Sequence, residues 1–201
     1  WNIKKIIRDY VKDFKDKAGN IIKKGGKVLI YDVNDEYDEY EVIAWKDIGK
    51  QNPKTIRRVL PFKQVNGKVE PFGIEELQTG FLTLLTEYKG GLLILEDFNT
   101  YALNTRTQKV LSTLIRTRHK QIDVLIVLQE IGKVTRELWS NLSFYVYHKQ
   151  VSDIDVVKDK ITNYPMVKLA DNIVTEQFEM AELYYENKKI TEEQYNQYRS
   201  F

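Results

Sequence analysis

The stretch YKGGLLILEDFNTY, residues 88–101, decides the fold of this chain. Its apolar run, Leu92–Leu95, leads directly into two carboxylates, Glu96 and Asp97. A continuous apolar run is typical of a parallel strand that is covered on both faces, because a half-exposed strand would alternate apolar and polar residues. We therefore expect a buried strand that carries two acidic side chains at its carboxyl end.

Two other segments repeat this pattern. KVLIYD predicts a buried strand at 28–31 that ends at Asp32, and DVLIVLQ predicts another at 123–129 that ends at Gln129. Residues 74–88 place large apolar side chains three and four positions apart, which is the spacing of one helix face. This alternation of strands and helices is typical of an α/β fold, with a mostly parallel β-sheet flanked by helices.

The first half of the chain contains further local signals. Apolar residues at helical spacing over 1–17 predict one N-terminal helix. The segments EYEVIAW and TIRRVLPF predict short strands, and Asn66-Gly67 is a strong hairpin turn signal. The basic residues of IRR, 56–58, with Lys54, are expected to lie on solvated surface, and contact with a DNA backbone is the alternative.

The second half adds three elements. Thr105 with Gln108 matches the sequence pattern of a capping box, which predicts the start of a helix. A short helix is expected around 136–139. The apolar and aromatic segment SFYVYH, 143–148, predicts one more strand.

The last quarter of the chain is polar and mostly helical in pattern. Thr191 with Gln194 predicts another helix cap. We expect a core of residues 1–150 and a helical C-terminal extension of residues 151–201.

Composition excludes several classes of protein. The chain has no cysteine, which excludes a disulfide framework and a thiolate metal site, and its two histidines argue against a histidine-rich metal cage. The net charge of +2 says little about nucleic acid. No apolar run approaches the roughly 20 residues that span a bilayer, so we expect no membrane segment in these residues.

The polar ends of the three buried strands are the candidate site. Ligands of an open parallel sheet bind beyond the carboxyl ends of its strands, so Asp32, Glu96, Asp97 and Gln129 are expected to point into one crevice. Two adjacent acids suit nucleotide hydrolysis, because one can hold Mg²⁺ while the other orients and activates water. The alternative is that these acids are solvated turn or cap residues.

As an ordered set, the segments GLLILEDFNTY, LIRTRHKQIDVLIVLQE and NLSFYVYH resemble P-loop ATPases of the FtsK–HerA superfamily. The zonula-occludens-toxin-like and phage genome-packaging members are the most similar. KVLIYDVNDEY resembles the strand after the first helix of that family, which commonly ends in Asp with a Glu-Tyr pair nearby. The resemblance covers about residues 1–150. It implies a P-loop NTPase core of the RecA-like (ASCE) class, with residues 151–201 packing on the core or on a neighbouring subunit.

The resemblance implies roles for the acids. Glu96 takes the magnesium-site position and Asp97 the catalytic-base position, which reverses the usual Asp-Glu order of the family. Asp32 and Glu36 would lie beside the bound nucleotide, with Tyr37 nearby.

It also implies roles for polar and basic residues further along. Gln129 matches the position of a polar sensor. Arg116 and Arg118, with His119, fall where such ATPases place basic residues near a subunit boundary, so that one could stabilise the transferred phosphoryl group as an arginine finger. The alternative is a solvated helix end, whose cations the helix dipole favours.

A phosphate-binding loop, G-x-x-x-x-G-K-[ST], does not occur in the sequence. Each Gly-Lys pair is followed by Val or Gln, where the motif needs Ser or Thr. Because this loop directly precedes the first helix of a P-loop fold, we expect it upstream of Trp1. A degenerate relative that has lost nucleotide binding is the alternative.

The resemblance therefore implies a motor subunit that uses ATP and Mg²⁺ to translocate or package DNA. Such a subunit would form a ring-shaped homo-oligomer, with a phage capsid or portal as a further partner. It would act in the cytoplasm, that of the bacterial host if a phage encodes it, or in the virion. The alternative is a catalytically inactive protein of the same fold that serves as a structural or assembly component of a phage. A kinase-like transferase is a weaker third interpretation, since no arginine-rich lid is apparent.

Overall fold

The computed structural model describes residues 3–101, 112–114, 116–128, 130–148 and 153–199. The chain divides into two compact units. One comprises residues 6–129, and the other comprises residues 130–201 together with residues 1–5. The expected functional division at residue 150 stays a prediction.

The helices and strands are numbered in chain order. In the first part they are α1 (Ile3–Tyr10), β1 (Phe14–Lys15), β2 (Ile21–Lys23), β3 (Val28–Tyr31), β4 (Ile56–Val59), β5 (Phe62–Val65), β6 (Lys68–Pro71) and α2 (Ile74–Glu87). They continue with β7 (Gly91–Leu95), β8 (Ile122–Ile126), α3 (Arg136–Asn141), α4 (Tyr164–Glu186) and α5 (Glu192–Arg199). Short 3-10 turns, among them Trp45–Lys50, Phe98–Thr100 and Thr117–Lys120, lie between them.

The centre of the first unit is a parallel sheet with the strand order β4-β3-β7-β8. Tyr31 of β3 pairs with Val59 on one side and with Leu95 on the other, and Leu95 pairs with Ile126. All of β3 and four of the five residues of β7 are buried. The predicted α/β fold with a parallel sheet is therefore confirmed at the level of fold class, and the apolar runs of β3 and β7 are its central strands. The third predicted buried strand, 123–129, is wrong in its burial and its end: β8 ends at Ile126, and only Ile122 of it is buried, because in the described structure it pairs with a strand on one side alone.

Helix α2 confirms the helix predicted over 74–88. It buries Leu77, Phe81, Leu84 and Leu85 along one face. The hydroxyl of Tyr31 donates a 3.0 Å hydrogen bond to the carbonyl of Leu77, which connects this face to the central strand.

The predicted N-terminal helix is wrong beyond Tyr10, where α1 ends. The chain instead forms the antiparallel hairpin of β1 and β2. The carboxylate of Asp13 accepts a hydrogen bond from the Gly25 amide, and that of Asp16 accepts from the amides of Ala18 and Asn20. The two bonds of Asp16 are local and give the backbone partners outside a helix, which is how aspartate competes with helix formation.

Two predicted strands are also corrected. Residues 143–148 form no strand; Tyr145 packs edge-to-face on Trp139, and the hydroxyl of Tyr147 donates to Asp171. EYEVIAW contributes a single bridge, between Val42 and Arg58, before the chain turns into a 3-10 helix. Side-chain contacts, which periodicity does not report, hold residues 143–148.

The predicted turn and cap signals that the structure describes are confirmed. Asn66 and Gly67 both adopt positive φ, 51° and 79°, between β5 and β6. Thr191 and Gln194 exchange side-chain to backbone hydrogen bonds of 2.8 and 3.2 Å. The predicted cap at Thr105 lies outside the described residues. No helix in the described part of the chain has the length and apolar character needed to cross a bilayer.

Candidate functional site

Asp32 and Glu96 lie side by side at the carboxyl edge of the sheet. Each follows the last residue of its strand, and the strands are paired in register there, Tyr31 with Leu95. The ladder continues one residue further, because the Glu96 amide donates to the carbonyl of Tyr31 and the Asp32 amide donates to that of Val59. Asp32 is 0% exposed and Glu96 is 8% exposed. Two carboxylates therefore share a buried position on neighbouring strands.

The carboxylate of Asp32 organises the loop that follows β3. Its two oxygens accept the amide hydrogens of Glu36 and Tyr37 at 2.9 and 3.1 Å. The guanidinium of Arg58 donates to it at 2.9 Å from the neighbouring strand β4. The buried charge of Asp32 is thus matched by a cation and by two backbone donors.

Arg58 is a residue that sequence reasoning placed wrongly. It is 8% exposed, whereas the sequence predicted solvated surface for 56–58. Besides Asp32, it forms an ion pair with Asp35 and donates from Nε to the carbonyl of Tyr40 at 3.0 Å. Arg58 therefore holds both ends of the loop that follows β3. The sequence does not show this role, because it depends on the pairing of β4 with β3.

Tyr37 connects that loop to the end of β7. Its hydroxyl donates a 2.8 Å hydrogen bond to Oε2 of Glu96, and the side chain is 5% exposed. The sequence placed Tyr37 near the expected nucleotide without a partner. Because Asp32 holds its backbone and Glu96 accepts from its hydroxyl, Tyr37 ties the two carboxylates into one network.

Burial raises the pKa of Glu96 above its usual range. The hydrogen bond from Tyr37 lowers this pKa, while the charges of Glu36, Asp32 and Asp97 raise it further. Glu96 therefore takes up a proton more readily than an exposed glutamate. A nearby positive charge would favour its ionised form.

Asp97 has a strained backbone beside Glu96. Its φ and ψ are 44° and 46°, the left-handed conformation, which costs an L residue about 1 kcal/mol and which Asp tolerates better than most. This turn sends Phe98 into the core. The Asp97 side chain is partly exposed and accepts a 2.7 Å hydrogen bond from Thr100. Glu96 and Asp97, although adjacent, thus occupy different environments, one buried and one facing solvent.

Behind the two acids lies the buried ring of Tyr101. It packs against the rings of Tyr31, Phe81 and Phe98 at centroid distances of 5.2, 5.8 and 5.7 Å. Within the described part of the chain its hydroxyl has no hydrogen-bond partner. Burial raises its pKa well above the usual range, and the nearby acids add to this, so the hydroxyl stays protonated at neutral pH.

The other predicted site residues are exposed or lie outside the described residues. Glu36 is exposed on the loop after β3, and Arg116 is exposed on the helical segment before Thr117. The side chain of Arg118 and all of Gln129 lie outside the described residues. In this segment Lys120 donates to the carbonyls of Leu85 and Thr86 at the end of α2. The structure thus brings together Asp32, Glu36, Glu96 and Asp97, and it describes no contact between Arg116 and these acids.

The residues present suit a magnesium ion that is held mainly by a bound phosphate. Across the described residues, no three His, Cys, Asp or Glu side chains are arranged to hold a metal ion. Magnesium commonly takes only one or two carboxylates, and its other ligands are phosphate oxygens and water. Glu96 fits such a role because Tyr37 engages only one of its oxygens, whereas both oxygens of Asp32 already accept hydrogen bonds.

The arrangement as a whole is an acidic edge of a parallel sheet. It contains one buried acid with a raised pKa, one partly exposed acid on a strained turn, and one acid neutralised by Arg58. Comparison of the chain with models of protein families, with curated proteins and with solved structures finds no match.

Proposed function

We propose that this chain is a subunit of an ATP-hydrolysing motor that translocates or packages DNA. The observation that supports this function best is the position of Glu96 and Asp97. They follow a central parallel strand, beside Asp32 of the neighbouring strand, where α/β sheets bind their ligands. The sequence resemblance supplies the ATP and DNA parts of the proposal.

In this proposal the two adjacent acids have different roles. Glu96 holds Mg²⁺ directly or through water, and the ion, when bound, offsets the charge of the phosphates. Asp97 is partly exposed and carries no buried ion pair in the described structure, which suits a base that orients and activates water. Its hydrogen bond from Thr100 holds one carboxylate oxygen and leaves the other to meet the water.

Asp32 acts in this proposal mainly through its loop. Its oxygens accept from two backbone amides and from Arg58, which holds the loop that carries Glu36 and Tyr37. The direct contacts of Asp32 and Glu36 with a nucleotide stay predictions.

The remaining parts of the motor come from the resemblance. Gln129 is proposed as the γ-phosphate sensor, and Arg116 or Arg118 as an arginine finger in a ring-shaped homo-oligomer. DNA is the proposed cargo, and a phage capsid or portal the proposed docking partner. A motor of this kind also needs a phosphate-binding loop, which the 201 residues do not contain.

A specific observation favours a second candidate function, a non-catalytic structural or assembly component of a phage. Glu96 is buried, accepts a hydrogen bond from Tyr37 and has a raised pKa. An acid that only links a loop to a strand would show the same features.

Magnesium-dependent ATP hydrolysis by the complete natural polypeptide, with and without DNA, tests the proposal. Asp97→Asn keeps a residue that tolerates positive φ, and we expect it to lower turnover by about 10²-fold or more. Asp38→Asn, an exposed acid on the nearby loop, is the matched control and should keep full turnover. Equal rates for the wild type and Asp97→Asn would remove Asp97 from the mechanism. A folded wild type that neither binds nor hydrolyses ATP would favour the structural component.

A further inference from the structure

Helix α4 carries a line of large apolar side chains that are exposed to solvent. Each is about half exposed, between 46% and 56%. They are Met166, Leu169, Ile173, Met180 and Leu183. We call this line, with Glu176 in its centre, the α4 stripe. A different face of the helix carries the buried residues Val167 and Ala181, so the stripe is a second apolar surface.

The spacing of the stripe indicates what kind of surface would cover it. Its six positions follow one another at intervals of three, four, three, four and three residues. That is the heptad pattern of a seam between two paired helices, which is narrower than the stripe that faces a globular core. The seam extends over about 26 Å of helix. The matching partner is therefore another helix with the same repeat.

We propose that this partner is α4 of a second copy of the chain, packed antiparallel about a two-fold axis. The stripe is complementary to itself in this orientation. With the axis beside Val174 and Thr175, Met166 lies opposite the partner's Leu183, and Leu169 lies opposite the partner's Met180. In the central layers, Ile173 lies opposite the partner's Glu176. Every stripe position thus meets a stripe position, which is what an isologous interface requires.

The charges along α4 favour the antiparallel orientation over the parallel one. The second half of the helix carries Glu176, Glu179, Glu182 and Glu186 and no basic residue, while the first half has one lysine and one aspartate. A parallel pair would bring the four acids of each copy together and place Glu176 against itself. An antiparallel pair places each acidic half against a half that is balanced in charge, which lowers the repulsion.

Glu176 is the one polar member of the stripe. A single polar residue in such a seam sets register and orientation at a cost in stability. Pairing is therefore expected to be weak and to strengthen when Glu176 becomes apolar. The contact uses α4 alone, so it holds whether or not the chain hydrolyses ATP.

Sedimentation of the full chain over a range of concentrations tests the association. We expect a reversible dimer for the wild type and a dimer at least about tenfold tighter for Glu176→Leu. Ile173→Lys and, independently, Leu169→Lys should remain monomeric at concentrations where the wild type pairs. Thr79→Lys, which adds a lysine at an exposed position of α2 and leaves α4 unchanged, should pair like the wild type. Far-UV circular dichroism of each variant shows whether α4 is still folded.

Cysteine cross-linking tests the orientation, since the chain has no cysteine of its own. Mixed Leu169→Cys and Met180→Cys chains should oxidise to a disulfide-linked heterodimer, because these positions face each other across the two-fold axis and fall within disulfide range. Each variant alone should cross-link little. Homodimers of Leu169→Cys alone would contradict the antiparallel arrangement. A wild type that stays monomeric, or a dimer that Ile173→Lys and Leu169→Lys both leave intact, would overturn the proposal, because the stripe would then be covered by something other than a second α4.

Discussion

The hydroxyl of Tyr37 donates a 2.8 Å hydrogen bond to Oε2 of Glu96, a residue 59 positions further along the chain. Both side chains are buried. The bond joins the loop after β3 to the end of β7, and Asp32 holds the same loop through two backbone amides. The carboxyl edge of the sheet is therefore one connected network, and changing any member should affect the others.

Replacing Tyr37 with Phe removes the buried hydroxyl donor and leaves Oε2 of Glu96 without this hydrogen bond. We expect the free energy of unfolding to fall by about 1–3 kcal/mol, because a buried acceptor loses its partner. Urea denaturation at neutral pH measures the loss. Tyr10→Phe is the matched control, since it removes an exposed tyrosine–carboxylate bond, to Asp123, which water can replace. Equal losses in the two variants would show that the buried Tyr37 bond contributes no more to stability than the exposed Tyr10 bond.

Replacing Glu96 with Gln should change how stability depends on pH. The folded-state pKa of Glu96 is raised above its ordinary value of 4.5. The folded state therefore binds the proton of Glu96 more tightly than the unfolded state does. The stability that comes from this tighter binding is fully present below pH 4.5 and is lost as the pH rises through the raised pKa. The glutamine variant does not titrate, so its stability relative to the wild type should increase over that same pH range and then level off.

The gain in the free energy of unfolding for Glu96→Gln, relative to the wild type, is about 1.4 kcal/mol for each unit by which the pKa of Glu96 is raised. Denaturant titrations at a series of pH values measure it. Glu70→Gln, at an exposed position on β6, controls for the loss of one negative charge. A gain for Glu96→Gln that shrinks as the pH rises would contradict the prediction.

Replacing Arg58 with Met should leave the carboxylate of Asp32 buried without its cation. The expected loss of stability is about 3–5 kcal/mol, the cost of breaking a buried ion pair from one side. Arg57→Met is the control on the same strand, because Arg57 pairs with the exposed side chain of Glu41. Asp32→Asn combined with Arg58→Met should lose less than the sum of the two single variants, and an additive result would mean that the pair is not coupled.

Replacing Gly91 with Ala should disrupt the start of β7. A Cβ there would lie 2.4 Å from the carbonyl oxygen of Lys27 and 2.6 Å from the hydroxyl of Tyr88, and φ is +108°. We expect a loss of at least about 3 kcal/mol in thermal or urea unfolding. Gly90 also has positive φ, 62°, but nothing lies within 4 Å of its Cβ position, so Gly90→Ala should cost only about 1 kcal/mol. A similar loss at both positions would show that conformation, and not close contact, sets the cost.

Much of the sheet was predictable because its signals are local. The apolar runs that end at Asp32 and Glu96 are long enough to identify strands covered on both faces, and helix α2 has an uninterrupted apolar face. Hairpin and capping signals at Asn66-Gly67 and Thr191 depend on a few neighbouring residues, and the structure confirms them.

The errors arose where local bonds or distant contacts outweighed periodicity. Apolar spacing continues past Tyr10, but the chain there turns into a hairpin in which Asp13 and Asp16 accept hydrogen bonds from backbone amides. The segment 143–148 has strand composition, yet Tyr145 and Tyr147 find partners in a helical region.

The sequence by itself determined that acids follow the buried strands, because an apolar run and the residue after it are adjacent in the chain. Only the tertiary structure decided which side chains those acids meet. Pairing of β3 with β4 and β7 brings Arg58 to Asp32 and Tyr37 to Glu96. The physical reason is that charge balance and desolvation depend on distances in space, and residues far apart in the chain come within those distances only when the sheet has formed.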